Sequence, residues 1–396
     1  MKELAKIAFD VLASTTLKVD ALFKQMKADG KDVIGFGAGE PDFNTPDNIN
    51  EVAYSAIKNG ETKYTPANGI PALRQAVADR LRADCGISYG PNDIVVASGA
   101  KHSIYIALQT LLDPGDEAII PAPYWVTYTE AVKMAGGVPV VVSATEQDDF
   151  KITAKQLDAA VTPKTKLFIL NNPSNPTGML YSESELRDLM DVCVKHDLYV
   201  ISDEIYYRLV YDGKQFTSVA ALGDDVKERA IIVNGVSKSY AMTGWRIGYT
   251  ASNARIAKVM SNYLSHSTSS PSTISQIAAV EALTGPQEGI YAMRDVFAQR
   301  RDYIVERVNA IDGLSCRKPD GAFYIMINIE KQIGRTLGGV AINNSDDFSL
   351  ALLESGLVAV VSCTGFGCDN FLRLTYASSM EDIKEGMDRL EKFVKG

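Results

Sequence analysis

Histidine is scarce in this sequence, three residues in 396, and the five cysteines (Cys85, Cys193, Cys316, Cys363 and Cys368) are odd in number and, apart from the last two, widely spread. Neither a metal-ligand spacing nor a disulfide framework can be written from them, so reduced thiols are expected. No apolar run approaches the roughly 18 residues of a membrane-spanning helix. The opening Met1-Lys2-Glu3-Leu4-Ala5-Lys6 lacks the apolar stretch of a signal peptide, which makes the cytoplasm the expected location. An excess of positive charge is missing too: the formal net charge is −9 with both signs interspersed, which opposes nucleic acid or an anionic membrane as a partner. A small anionic substrate stays open, because a local Lys/Arg cluster overrides the global field. Internal repeats and low-complexity segments are also absent.

What is present is enough apolar residue, 46% of the chain, to bury a substantial core and fill two domains. An amphipathic helix is expected up to about residue 30, a strand at 33–36, a loop at Gly37-Ala38-Gly39-Glu40-Pro41-Asp42-Phe43, and helices over 47–60 and 70–84. From about residue 92 short apolar runs alternate with helical stretches, the pattern of parallel βαβ units. The runs are 94–97, 117–120, 166–170, 198–201 and the β-branched stretch from Ile231 that breaks at Gly235. Ser182 and Glu185 make a capping box for a helix to about His196. Residues 265–272 read as a serine-rich loop, a helical stretch runs from about 280 through Arg307, and strands are expected at 321–326 and 371–376.

Each run in the alternating region is followed at once by a residue with chemical potential: Gly99, Trp125, Asn175, Asp203 and Lys238. Ligands of open parallel sheets bind outside the carboxyl ends of the strands, so these positions converge on one site. Lys238, between Ser237 and Ser239 and eight residues before Arg246, is placed to form a Schiff base while hydroxyls and a guanidinium hold a phosphate. That is what pyridoxal phosphate needs; a solvated loop lysine is the other reading. The glycine turn Ser98-Gly99-Ala100-Lys101 opens a helix whose free N–H groups and dipole favour an anion, although many such turns bind nothing. Trp125 either stacks on a ring or packs half-buried. Asp203 is either a turn residue or an acid that lies beside Lys238, 35 residues on, about one βαβ unit.

Ser237-Lys238 with Arg246-Ile247-Gly248-Tyr249, and Asn172-Pro173-Ser174-Asn175-Pro176-Thr177-Gly178, resemble the signatures of class I pyridoxal-phosphate-dependent aminotransferases of the aspartate aminotransferase type. The likeness runs over nearly the whole chain. It implies an α/β protein of pyridoxal-phosphate fold type I: a large cofactor-binding domain with a mostly parallel sheet between helices (46–284) and a smaller α+β domain (1–45 and 285–396) that closes on the substrate. By the same resemblance Lys238 bonds the cofactor and then acts as base, Asp203 keeps the ring nitrogen protonated, and Asn175 and Tyr206 bond the ring hydroxyl. Gly99, Ala100, Lys101, Ser237 and Arg246 hold the phosphate, Trp125 stacks, and Tyr64 reaches the phosphate of a neighbouring subunit, so a homodimer with shared sites is implied. The substrate's α-carboxylate falls to Arg373 and the backbone at Gly39, and the distal carboxylate of aspartate to Lys101 with Thr16 nearby. The expected reaction is a ping-pong transfer between an L-amino acid, aspartate first, and a 2-keto acid, 2-oxoglutarate first. The alternatives are an aminotransferase for aromatic or other amino acids including prephenate, or a carbon-sulfur lyase on the same fold. A cofactor-dependent DNA-binding regulator lacks a DNA-binding module, and a Ser-Lys hydrolase leaves Asp203, Asn175 and Arg373 without a task.

Overall fold

The structure, a computed structural model, describes residues 3–5, 9, 11 and 15–396, and the side chains of the first helix from residue 21 onward. The expected runs form a single sheet, which two further strands complete. Its order is Ile94–Ala97, Gly248–Ala251, Ala230–Gly235, Tyr199–Asp203, Thr165–Asn171, Glu117–Ala122 and Val138–Ser143, and every strand except Gly248–Ala251 runs parallel. Ile94–Ala97 and Ala230–Gly235 are buried along their whole length. Strands covered on both faces need no polar alternation, hence their unbroken apolar sequences.

Successive side chains still leave on opposite faces. Ile231 and Val233 pack with Ile104, Leu108, Ile256 and Leu264 from helices Ala100–Leu111 and Ala254–Ser267. Ala230 and Ile232 pack on the other side with Leu81, Leu189 and Ala279, from helices Pro71–Cys85, Glu183–Lys195 and Thr273–Thr284. The capping box at Ser182 forms: its hydroxyl accepts from Glu185 N–H, and Glu185 Oε2 accepts from Ser182 N–H at 2.7 Å.

A second assembly surrounds a four-stranded antiparallel sheet, in the order Val361–Ser362, Phe371–Thr375, Tyr324–Asn328 and Ser315–Cys316. Its core holds Phe36, Phe297, Phe323, Phe348 and Leu372, covered by helices Glu288–Ala310, Ser345–Gly356 and Met380–Lys395. The strand Ile34–Gly35 pairs with Val358–Ala359, tying the beginning of the chain to this assembly. No helix among the described residues is long and apolar enough to cross a membrane, and the five cysteines are free thiols.

Several boundaries differ from expectation. Ser265, His266 and Ser267 end a helix rather than start a loop, the hydroxyl of Ser265 bonding back to Asn262 O at 2.7 Å. The strand expected from 321 begins at Tyr324, because Gly321 is pressed against Pro173 and Leu209 O, with no room for a Cβ, and Ala322 has a positive φ. The helical stretch from 280 is two helices, broken at Gly285-Pro286. Gly248–Ala251, not among the expected runs, is the strand that returns Arg246 to the turn at Gly99.

Candidate active site

Parallel strands in register bring their carboxyl ends level, and the loop after Phe36 crosses above them. Asn171 pairs with Asp203 and Asp203 with Val233, so the residues just past these strands share one edge. Lys238 lies in the loop after Ala230–Gly235. Its amine donates to Gly39 O and sits 5.8 Å from the centre of the Phe323 ring. Burial lowers its pKa from 10.5 to about 8; Glu40 and Asp203 oppose this, Arg373 and Arg246 add to it. A buried amine that is partly neutral near physiological pH is a nucleophile and a base.

Asp203 is buried at the end of its strand. Its Oδ2 accepts from the Tyr128 hydroxyl at 2.7 Å and its Oδ1 from Ile205 N–H at 3.3 Å. Burial pushes its pKa up to about 6, while both hydrogen bonds and the Lys238 charge pull the other way. Tyr128 in turn meets the Trp125 ring edge-on, centroids 5.4 Å apart.

The turn at Gly99 shows why glycine stands there. With φ +89°, a Cβ would lie 2.3 Å from Arg246 Nη2, so only glycine lets the guanidinium rest on the turn. Arg246, itself at φ 59°, donates to Thr243 O at 2.9 Å and Ser98 O at 3.3 Å. Helix Ala100–Leu111 begins at this point, offering unpaired N–H groups and the positive end of its dipole. The Lys101 amine lies 5.0 Å from the Trp125 ring centre, its pKa lowered by burial and then by Arg246. A cavity of about 760 Å³ opens beside these groups, lined by Ser98, Lys101, Tyr124, Arg246 and Thr364 among others. Ser237 is buried next to Lys238.

At the other end Arg373, on the strand Phe371–Thr375, is 4% exposed. Its Nη1 donates to Asn175 Oδ1 at 3.3 Å and its Nη2 to Gly37 O at 2.8 Å, and the guanidinium lies 4.6 Å from the Tyr324 ring centre. Its Nε is buried with no hydrogen-bond partner among the described residues. An unpaired donor on a buried charge is costly unless an acceptor meets it. Tyr206 Oη and Tyr324 Oη are 3.1 Å apart.

These donors fit pyridoxal phosphate. A glycine turn under an arginine suits its phosphate, a buried amine its aldehyde, and a buried carboxylate backed by a phenol its ring nitrogen. Comparison with known proteins decides the family: the description "Aminotransferase class I and II" matches residues 31–390. The chain belongs to the class I and II aminotransferases. The aspartate aminotransferase of Bacillus sp. (strain YM-2) is 48% identical over 396 residues, all of both chains. The aspartate/prephenate aminotransferase of Cereibacter sphaeroides (strain ATCC 17029 / ATH 2.4.9) is 45% identical, covering 98% of this chain and 97% of its own. The crystal structure of the aspartate aminotransferase from Rhizobium meliloti superposes with a TM-score of 0.96 at 42% identity, covering 100% of this chain and 99% of that one. Aminotransferases of this family are pyridoxal-phosphate enzymes, and this chain is one of them.

Of the residues singled out in the sequence, Gly39, Gly99, Ala100, Lys101, Trp125, Asn175, Asp203, Tyr206, Ser237, Lys238, Arg246 and Arg373 gather around this edge of the sheet. Tyr64 does not join them within the chain: it is 95% exposed. Thr16 lies in the helix Thr15–Ala28, its side chain outside the described residues. Sequence reasoning missed Tyr128 and Tyr324. Tyr128 could have been found by asking which hydroxyl satisfies a buried Asp203, since it lies one helical turn beyond Trp125. Tyr324 sits in an expected strand with no motif around it.

Proposed function

We propose that this aminotransferase moves the amino group of aspartate to a 2-keto acid, 2-oxoglutarate first, in two half-reactions at Lys238. The observation that carries the choice of a dicarboxylate is a pair of cations on different elements: Arg373 with its unpartnered Nε, and Lys101 beside Trp125. The relatives named aspartate aminotransferase support it.

In this reading Arg246, Ser237 and the backbone from Gly99 to Lys101 hold the phosphate, Trp125 covers the ring, and Asn175 and Tyr206 meet its hydroxyl. When bound, pyridoxal phosphate supplies an aldehyde for the amine and a ring that accepts the electron pair released at the substrate's α-carbon. Asp203 holds a proton at the ring nitrogen. Arg373, with the Gly39 backbone, fixes the α-carboxylate in a paired geometry that lysine could not reproduce. Lys238 would take the α-proton at Nζ and give it back to complete the exchange; a pKa of about 8 suits a group that must both accept and give up a proton. The buried rings of Tyr324, Phe323 and Phe366 around Arg373 and Lys238 keep water from competing.

The proposal extends to a large domain, 46–284, closed by a smaller one, 1–45 and 285–396. Arg373 and Lys238 stand on different sides of that division, so substrate binding favours closure; unchanged domain angles in structures with and without a dicarboxylate would count against it. It extends also to a homodimer, supported by the exposed Tyr64 and by the open cavity beside Arg246, and to a cytoplasmic location. An alternative, an enzyme that also takes prephenate or aromatic amino acids, draws on the relative named aspartate/prephenate aminotransferase and on the size of that cavity. Half-reactions with aspartate, prephenate-derived and aromatic substrates, compared by kcat/KM, decide between them. Keto acid formed with no amino acceptor present would point to a lyase instead.

A further inference from the structure

The loop from Gly37 to Phe43 carries two carbonyls that each hold a cation of the site: Gly37 O accepts from Arg373 Nη2 at 2.8 Å, and Gly39 O from the Lys238 amine. What fixes this loop therefore fixes the aim of both. On one side it is bonded to the stretch beyond Lys238, by Thr243 Oγ1 to Glu40 Oε2 at 2.7 Å and by Thr45 Oγ1 to Ala241 O at 2.8 Å. On the other side stands a paired contact. Arg300, on the helix Glu288–Ala310, donates from Nη1 to Asp42 Oδ1 at 2.8 Å and from Nη2 to Asp42 Oδ2 at 2.9 Å. The guanidinium lies beside both Phe43 and Phe297, its carbon 5.3 and 5.8 Å from their ring centres, and the two rings meet each other edge-on. The Arg300 side chain is 10% exposed and that of Asp42 29%.

A fork on a carboxylate, walled by two rings, has one geometry, whereas a lysine in its place would swivel. The pair lies beyond the reacting groups, yet it is joined to them through only a few residues of backbone at each carbonyl.

We infer that Arg300, through its fork on Asp42, is a positioning residue for carboxylate recognition: it holds the Gly37–Asp42 loop so that Arg373 and Lys238 face the same substrate. The inference rests on the reading of Arg373 as the ligand of the substrate's α-carboxylate. Arg300 touches neither substrate nor cofactor and acts through the loop. Because the loop serves every carboxylic substrate, the amino acid and the keto acid suffer alike when the fork is lost.

The test uses the holoenzyme and the variants Arg300→Gln, Arg300→Lys, Asp42→Asn and the double variant Arg300→Gln/Asp42→Asn. Maleate, a dicarboxylate with no amino group to give, is titrated in while the absorbance of the bound cofactor is followed, which reads carboxylate binding without turnover. KM and kcat are then measured for both half-reactions. A misplaced binding group typically costs up to about a hundredfold; here each glutamine or asparagine variant should bind maleate about tenfold more weakly and raise both KM values by a similar factor, with a smaller fall in kcat from the loosened aim of Lys238. Arg300→Lys should fall between, and the double variant should be no worse than either single one, since both remove one contact. Asp42→Asn, at the more exposed end, keeps the test alive if Arg300→Gln does not fold. Maleate binding at the wild-type level in Asp42→Asn or Arg300→Gln overturns the inference, even if the melting temperature falls. A wild-type enzyme that converts an amino acid but shows no such loss in the variants overturns this inference alone; one that binds no carboxylate at all overturns the underlying reading with it.

Discussion

Replacing Tyr128 by Phe removes one oxygen from a fully buried place and tests how Asp203 is kept ready for the ring nitrogen. Asp203 would lose its 2.7 Å bond and keep only Ile205 N–H at 3.3 Å. A hydrogen bond to a charged group contributes about 1.5–3 kcal/mol, and at about 1.4 kcal/mol per pH unit the Asp203 midpoint should climb from about 6 to roughly 7–8. Holding a protonated ring nitrogen requires the carboxylate in its ionised form, so the variant must first lose a proton that the wild type has mostly lost at neutral pH. The sign follows: the variant's deficit in cofactor affinity grows as pH falls and disappears at high pH. With midpoints of about 6 and 7.5, the loss is about fifteenfold at pH 6, a few-fold at pH 7 and negligible at pH 9. Equilibrium titration of cofactor-free enzyme with pyridoxal phosphate across that range reads it directly. A Tyr128→Phe enzyme with the wild-type affinity at pH 6, or with a deficit independent of pH, would show that the phenol does not set the charge of Asp203.

Lys238 makes a second pH-dependent claim. Its folded pKa is depressed, so the cofactor-free enzyme carries a stability penalty that is absent above the unfolded value of 10.5, grows as pH falls from there to the folded value of about 8, and is complete below it. Relative to Lys238→Met, the wild type should lose up to about 3 kcal/mol between those limits; denaturant unfolding of both proteins at pH 8 and 10.5 checks it, and parallel curves would refute it. Gly99→Ala forces a Cβ onto Arg246 Nη2 at a residue with φ +89° and should weaken cofactor binding by about 1–3 kcal/mol, measured by the same titration. Arg373→Lys keeps the charge and loses the fork, so KM should rise about tenfold or more for amino and keto acids while the cofactor absorbance stays as it was. Tyr64→Phe, if this exposed ring reaches a partner's phosphate, should weaken cofactor binding by about 0.5–1.5 kcal/mol with an unchanged melting temperature of the cofactor-free protein.

Most of the sheet could be read because strands buried on both faces are continuous apolar runs, and Lys238, Asp203, Asn175 and Gly99 could be placed because each stands just past such a run. Arg373 was legible only through its family likeness; nothing in Phe371-Leu372-Arg373-Leu374-Thr375 tells a buried arginine from one on the surface. Gly248–Ala251 was hidden because only four residues, starting with glycine, make an antiparallel strand between two parallel ones. Val138–Ser143 is a half-exposed edge strand whose run of valines is interrupted by Pro139, a residue that argues against a strand anywhere but at an edge. Tyr128 and the fork of Arg300 on Asp42 are contacts across 75 and 258 residues of sequence. No local pattern encodes such pairs; they exist only once the strands and the long helix have set the distances.

The central claim, an aminotransferase whose buried Lys238 holds the cofactor and whose donor is aspartate, is tested most directly by the absorbance of the purified holoenzyme before and after aspartate is added with no keto acid. The account predicts that the band of the lysine-bound cofactor gives way to the shorter-wavelength band of its amine form, that 2-oxoglutarate restores it, and that Lys238→Ala abolishes the cycle. A band that aspartate leaves unchanged would contradict aspartate as donor, and a lysine-bound band that persists in Lys238→Ala would contradict the site itself.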